Sequence, residues 1–294
     1  MSDVMYHYTL FQWMFFFFIY CFFGWCIEST IVSINKRHFV NRGFLRLPML
    51  PLYGSGAVLI LWITLPFQKN IIMIYLVGLV GATILEYFTG WAMESLFKIK
   101  YWDYSSQKFQ FKGRICLSSS LFWGVLSVVL TELIHPPIEK WIFQLNSSII
   151  MISSVLIAFL MLIDTIISAK AALDLAKVLE QLSVAKEDVE HVVEQLEELK
   201  NSAQLQIEEL KENTQLQISA LKENAFKQTQ DRIEVLKNRL SELTEKREIE
   251  FKKIDFFKSQ LIKGHPTSYS AKFNASLKEL KERVNQKFQQ KGED

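Results

Sequence analysis

The pattern of apolar and polar positions changes character near residue 168. Before it, aromatic and aliphatic residues run in long blocks separated by short polar stretches; after it, Glu, Lys, Gln and Leu are interleaved. A bilayer core of roughly 30 Å is crossed by about 20 apolar residues in a helix. Five blocks approach or reach that length: about Leu10 to Ile34, Pro51 to Phe67, Ile71 to Phe97, Ile115 to His135 and Ile149 to Ser168. The second is short and opens on PLYGSGA, which predicts an irregular start that protein or water must cover. The expected fold class is all-α. It comprises a polytopic membrane bundle of about five transmembrane helices over residues 1–168, a long helical coiled-coil segment over 169–263, and a short C-terminal helix within 264–294.

The 294 residues carry a net charge of only +2, but that is a sum over two unlike pieces and argues neither for nor against a nucleic-acid partner. The loops are more informative. Lys36, Arg37, Arg42 and Arg46 follow the first block, and Lys98, Lys100, Lys108, Lys112 and Arg114 follow the third. Only Lys69 follows the second, and Glu139 with Lys140 the fourth. The positive-inside rule makes the first and third loops cytoplasmic, placing the N-terminus outside and the charged tail inside a bacterial inner membrane. The N-terminal stretch has no basic region and no small-residue cleavage site, so it is expected to be an uncleaved anchor. Cys21, Cys26 and Cys116 sit in apolar sequence at no metal-like spacing; no metal or other cofactor is expected.

Two hexapeptides break the apolar pattern: GWCIES at 24–29 and GWAMES at 90–95. Gly24 and Glu28 lie four apart on one helix face, as do Glu86, Gly90 and Glu94. A basic loop and an arginine follow each hexapeptide, and then an aromatic-glycine pair: Arg42 and Tyr53-Gly54, Arg114 and Trp123-Gly124. This order predicts a parallel two-helix repeat about an axis along the membrane normal. Glu28, Glu94, Arg42 and Arg114 would then converge at the inner mouth, paired with one another because an unpaired charge there costs several kcal/mol. Such pairs serve equally as rivets between helices or as walls of a ligand path. Glu86 lies deeper, without a basic partner at its depth, and Asp164 in the fifth block is placed to share a proton or water with it.

The same residues carry a family resemblance. FFGWCIESTIVSINKRHFVNRGFLRLPMLPLYGSGA, then EYFTGWAMESLF, YWDYS and GRICLSSSLFWG, resemble the ABC-transporter type IV, or CmpB-like, permease family of bacterial membrane proteins, over roughly residues 10–170. The resemblance implies an inner-membrane permease-like subunit. It carries the family pattern onto Gly24, Trp25, Glu28, Asn41, Arg42, Gly43, Phe44, Pro51, Tyr53, Gly54, Glu86, Gly90, Glu94, Trp102, Asp103, Tyr104, Ser105, Gly113, Arg114 and Cys116. The chain departs from the pattern at Leu47, where glycine is expected, and at Gln110, where asparagine is expected.

From Ala169 to Lys263 there is neither Gly nor Pro, and strong helix formers dominate. AQLQIEELKEN at 203–213 is followed at once by TQLQISALKEN at 214–224, a tandem 11-residue repeat that favours a nearly straight coil. A lone polar helix of this length is poorly stabilised, so self-association into a homo-oligomer or folding back as a hairpin is expected. KGHPTSYS at 263–270 should end it, with one last amphipathic helix beyond. Lys and Glu alternate without a free basic face, which argues against nucleic acid. There is no phosphate-binding glycine loop, no HExxH and no nucleophile elbow; His7, His38, His135, His191 and His265 are scattered. The chain is therefore not expected to be an enzyme, and any ATP hydrolysis falls to a separate ATPase subunit. Besides the bilayer and that subunit, the second function class is a membrane-anchored scaffold or sensor working through its coiled coil.

Overall fold

The computed structural model describes residues 8–67, 70–212 and 219–290, leaving aside the side chains of 206–226 and 287–290. The elements are α1 (Leu10–Lys36), α2 (Pro51–Thr64), α3 (Ile71–Phe97), strands β1 (Gln110–Phe111) and β2 (Ile115–Cys116), α4 (Leu117–Val129), α5 (His135–Gln144), α6 (Ser147–Glu212), α7 (Ser219–Lys252), α8 (Phe256–Gly264) and α9 (Asn274–Gln290). Local chemistry sets the boundaries. Thr9 and Gln12 form a reciprocal capping box on α1, Pro51 opens α2, and the Asn70 side chain caps α3 through Met73. Both α1 and α3 end on a left-handed basic residue, Arg37 and Lys98. A π-helical turn, Leu130–Ile134, joins α4 to α5, where Pro136 and Pro137 supply no backbone N–H and force the ladder to widen.

Among the described residues, four helical stretches are long and apolar enough to cross a membrane: Leu10–Lys36, Ile71–Phe97, Leu117–Gln144 and Ser147–Leu205. Pro51–Phe67 is a shorter apolar helix. Their outward faces expose Ile27, Ile31, Trp62, Val80, Phe88, Leu156 and Phe159, a surface that water would not tolerate and lipid does. The chain is a multi-pass membrane protein.

The chain divides into two compact units. The first contains Met1–Ala176, Phe256–Asn274 and Lys281–Asp294. Here α1 packs on α2, α2 on α3 and α3 on α4, around a core that includes Phe16, Tyr20, Ile60, Leu61 and Ile142. Gly54 lets α2 close on α1: a Cβ there would stand 2.6 Å from the Phe17 carbonyl oxygen and 2.3 Å from Cys21 Sγ. Strands β1 and β2 form a hairpin turned by Lys112 and Gly113, both at positive φ, which matches the strand twist.

The second unit contains Lys177–Asp255 and Ala275–Leu280. Val178, Leu179, Leu182, Ala185, Val192 and Leu196 form the buried stripe of α6. Ser183 of α6 meets Ser276 of α9 at 2.9 Å, and Arg247 of α7 pairs with Glu279 of α9. Within the long helical segment expected over 169–263, α7 ends at Lys253–Asp255, where Lys253 and Ile254 N–H close onto the Glu250 and Phe251 carbonyls. No Gly or Pro marks the spot, and Phe251 just before it is buried. The 11-residue repeat at 203–224 falls across residues outside the description.

Candidate functional site

Three carboxylates and two guanidiniums gather toward the end of the bundle where α1 and α3 finish. Glu28 accepts from Arg42 Nε at 3.2 Å on one oxygen and from the Tyr53 hydroxyl at 2.7 Å on the other. Arg114 Nε and Nη2 both donate to one Glu94 oxygen, at 2.9 and 2.7 Å, and its guanidinium lies 5.5 Å over the Tyr87 ring. Glu86, only 4 % exposed, has no cation in contact among the described residues; it accepts from Tyr104 Oη at 3.0 Å, Ser119 Oγ at 3.3 Å and Trp123 Nε1 at 3.0 Å. Ser119 and Trp123 lie four apart on α4, so one helix face aims both donors at the carboxylate. The Tyr53 and Trp123 rings, 5.8 Å apart, bring the donors of Glu28 and Glu86 side by side.

Asp164 does not join this group. One of its oxygens accepts from Leu47 N–H at 2.8 Å and the other from Ser168 at 3.3 Å, so it anchors the loop before α2 to α6. The shared proton expected between Glu86 and Asp164 has no place here, because each carboxylate is satisfied by its own donors.

A family model described as "Putative ABC-transporter type IV" matches residues 15–169, more than half of the chain. The chain belongs to that family. No curated protein and no solved structure matches it. Membership in the ABC-transporter type IV family fits a transporter better than a classical enzyme.

The geometry gives the family motifs physical roles. In the Asn41-Arg42-Gly43 segment, the Asn41 side-chain oxygen takes both Trp25 Nε1 at 2.7 Å and Gly43 N–H at 2.9 Å, which holds Arg42 over Glu28. In Trp102-Asp103-Tyr104-Ser105, Trp102 Nε1 donates to the Arg114 carbonyl at 3.0 Å, Asp103 accepts from Ser105, and Tyr104 reaches Glu86. Burial and the nearby Glu86 carboxylate push the Tyr104 hydroxyl up from its usual value, so it remains a donor. Gly113 combines φ +68° with an Asp103 oxygen only 2.2 Å from where a Cβ would stand. Gly113→Ala is expected to cost about 1–2 kcal/mol from the left-handed backbone alone, seen as a lower Tm in detergent. Gln110 Oε1 accepts Gly113 N–H at 2.7 Å, so its side chain reaches the turn.

Sequence reasoning did not place the segment from Phe256 to Asn274 at this site. Gly264 O accepts from Arg42 Nη1 at 2.5 Å, Lys100 and Tyr269 exchange backbone hydrogen bonds at 2.8 and 3.0 Å, and Ser270 Oγ donates to the Lys98 carbonyl at 2.7 Å. A Cβ on Gly264 would stand 2.6 Å from the Asn41 carbonyl oxygen. His265 is buried edge-on against Tyr101, with ring centroids 4.8 Å apart. Together with Glu28, Arg42, Tyr53, Thr89 and Trp102 these two line a cavity of about 170 Å³. The only signal in the sequence is the Gly264–Pro266 helix break, which fixes a turn but not its destination.

Burial, reinforced by the Arg42 and Lys281 charges, pushes the His265 imidazole down from 6.5 to about 3. Docked His265 is therefore neutral, while a released segment takes up a proton below pH 6.5. Docking is complete above that value and weakens as pH falls toward 3, by about 1.4 kcal/mol per pH unit. Hydrogen exchange in 256–274 is expected to be about tenfold faster, relative to intrinsic rates, at pH 5.5 than at pH 7.5, and His265→Leu should remove that difference.

A second polar cluster lies at the opposite ends of α1 and α4. His135 joins the Tyr8 and Tyr20 hydroxyls at 3.0 and 2.8 Å, and Tyr8 also donates to Glu139. With the Tyr8 hydrogen committed to Glu139, Nε2–H of neutral His135 donates to Tyr8, and Nδ1 accepts from Tyr20. The scattered histidines of the sequence gave no hint of this, since its members are 127 and 115 residues apart.

Proposed function

We infer that the bundle is a permease-like transporter subunit whose polar path is bounded by Glu28, Arg42, Glu86, Glu94, Arg114 and the residues that hold them. The observation that carries this reading is Glu86: a carboxyl 4 % exposed inside an apolar bundle, held by three neutral donors and, among the described residues, no cation. Burying such a group costs several kcal/mol, and a fold has no need of it. The two carboxylate-arginine pairs beside it supply charged walls, and the cavity of about 170 Å³ next to Glu28 supplies room.

The repeat interpretation is supported by the pairing of Glu28 with Arg42 and of Glu94 with Arg114, each across a loop that joins two successive helices. The halves are not equivalent in detail. Tyr53 serves Glu28, whereas its counterpart Trp123 serves Glu86, and Trp25 is bonded while Trp91 is exposed. With Pro51–Phe67 as a fifth, short span, the basic loops after α1 and α3 fall on one side, the cytoplasmic side of a bacterial inner membrane. The N-terminus is then outside and the helices from 177 onward inside. Five spans are few for a complete carrier, so pairing of two copies through the charged helices, together with a separate ATPase subunit, fits the reading. A scaffold or sensor is the alternative, favoured by the compact unit built from α6, α7 and α9.

Purification of the intact protein in mild detergent, with mass spectrometry of co-purifying proteins and small molecules, tests these classes. An ATPase subunit or a retained polar small molecule supports the permease. A phenotype that survives neutralisation of the bundle charges but not deletion of 180–255 supports the scaffold.

A further inference from the structure

The cavity of about 170 Å³ beside Glu28 is bounded by polar groups whose hydrogen-bonding capacity the fold does not use up. Tyr101 lines it and is 4 % exposed, yet its hydroxyl has no hydrogen-bond partner among the described residues. A buried hydroxyl left in this way costs stability, and in a native fold it points to something that meets it. Arg42 gives Nε to Glu28 and Nη1 to the Gly264 carbonyl, which leaves the two hydrogens of Nη2 without a partner among the described residues. Pro51 and Leu52, the first residues of α2, also line the cavity, and no side chain caps that helix N-terminus. Three sources of hydrogen-bond donors thus border one small space.

Acceptors border it as well. Glu28 is one. His265 is another: its Nδ1 lies 2.9 Å from the Leu261 carbonyl, so the neutral ring donates there and keeps Nε2 as an acceptor. The other walls, Phe44, Leu50, Met93 and Trp102 among them, are aliphatic or aromatic. Charge narrows the choice of ligand. Glu28 and Arg42 neutralise each other, so a lone anion or a lone cation would leave one charge unbalanced in apolar surroundings, whereas a zwitterion adds none. Size narrows it further, since drug-sized ligands fill pockets of about 300 Å³ and more. A small molecule with an ammonium, a carboxylate and a short apolar body meets all of these constraints.

We propose that this cavity binds an apolar α-amino acid as its zwitterion, the carboxylate met by Arg42 Nη2, the Tyr101 hydroxyl and the N-terminus of α2, the ammonium by Glu28, and the side chain by Phe44, Met93 and Trp102. This orientation sets the negative end of the ligand at the positive end of a helix. The proposal rests on the reading of this end of the bundle as a ligand path, and it names what enters that path. Because His265 lines the cavity, an occupied site also holds the 256–274 segment more firmly.

The test uses the full chain in mild detergent, with radiolabelled leucine as the probe. Binding is expected to saturate. Isocaproate, which lacks the ammonium, and isoamylamine, which lacks the carboxylate, should compete about tenfold more weakly than unlabelled leucine. Tyr101→Phe should lower the affinity for leucine about tenfold with Tm level or raised, because the hydroxyl it removes has no partner among the described residues. Glu28→Gln should turn the preference from leucine toward isocaproate, a change of selectivity that loss of fold does not produce. Leucine should also slow hydrogen exchange in 256–274. Either half-ligand competing as well as leucine, or a Tyr101→Phe variant that binds leucine as the wild type does, would overturn the proposal. So would the absence of binding at millimolar leucine, which would assign the Tyr101 hydroxyl to water. Failure here is distinct from failure of the permease reading. Another solute retained without leucine binding overturns the amino acid alone, whereas leucine bound by a protein that moves none into cells keeps the site and makes it a sensor's.

Discussion

Glu86→Gln is expected, on the permease reading, to abolish retention and transport of a ligand by the bundle while the protein accumulates normally and its Tm stays level or rises by a few degrees. The asymmetry comes from the site itself. Glutamine keeps the shape of glutamate and an acceptor oxygen for Trp123 or Tyr104, and its amide can donate to Ser119, so the hydrogen-bond cost is about 1 kcal/mol or less. Against that stands the removal of an ionisable group from an apolar bundle, which favours the fold. Sites held at a cost to stability are commonly functional, and their neutralisation trades activity for stability. A purely structural Glu86 predicts the reverse, a lower Tm with the ligand still bound. Thermal unfolding in detergent, combined with mass spectrometry of the co-purified small molecule, separates the two outcomes in one preparation.

The helical framework was legible because it rests on composition and period. Blocks of apolar residues, Pro51 at a helix start and Asn70 before Ile71 are local signals, and the structure follows them. The partners of Glu86 were less legible. Tyr104 was singled out by motif, yet its hydroxyl reaches a carboxylate 18 residues back only because the loop after α3 is folded by Trp102 and Gly113. Ser119 and Trp123 carried a usable sign, their i,i+4 spacing on one face of α4. The docking of Gly264 and His265 had none, since a single carbonyl joins Gly264 to a residue 222 positions away and an aromatic edge joins His265 to Tyr101. Asp164 shows the converse error: similar depth along two helices suggests proximity, but depth says nothing about which faces meet. Contacts of this range depend on tertiary geometry that periodicity does not encode.

Breaking the pair on α3 is expected to be far more damaging than breaking the pair on α1. Arg114 places two guanidinium N–H groups on one Glu94 oxygen, lies against Tyr87, and its side chain is 13 % exposed. Arg114→Met leaves the Glu94 carboxylate with neither bond in a largely apolar surrounding, where orphaning one partner costs about 3–5 kcal/mol. Glu28, by contrast, keeps the Tyr53 hydroxyl when Arg42 is lost, and the single Arg42 bond to it is a longer 3.2 Å. Arg42→Met should therefore cost about 1–2 kcal/mol in the bundle, besides releasing the Gly264 carbonyl. Adding Glu94→Gln to Arg114→Met is expected to recover most of the loss, because the penalty lies in the stranded charge and not in the absence of the pair. Folded yield and Tm by fluorescence-detected size exclusion report all three variants. If Arg42→Met proves the more damaging of the two single changes, the bond to Gly264 outweighs the ion pair, and the docked segment is the stronger support of this end of the bundle.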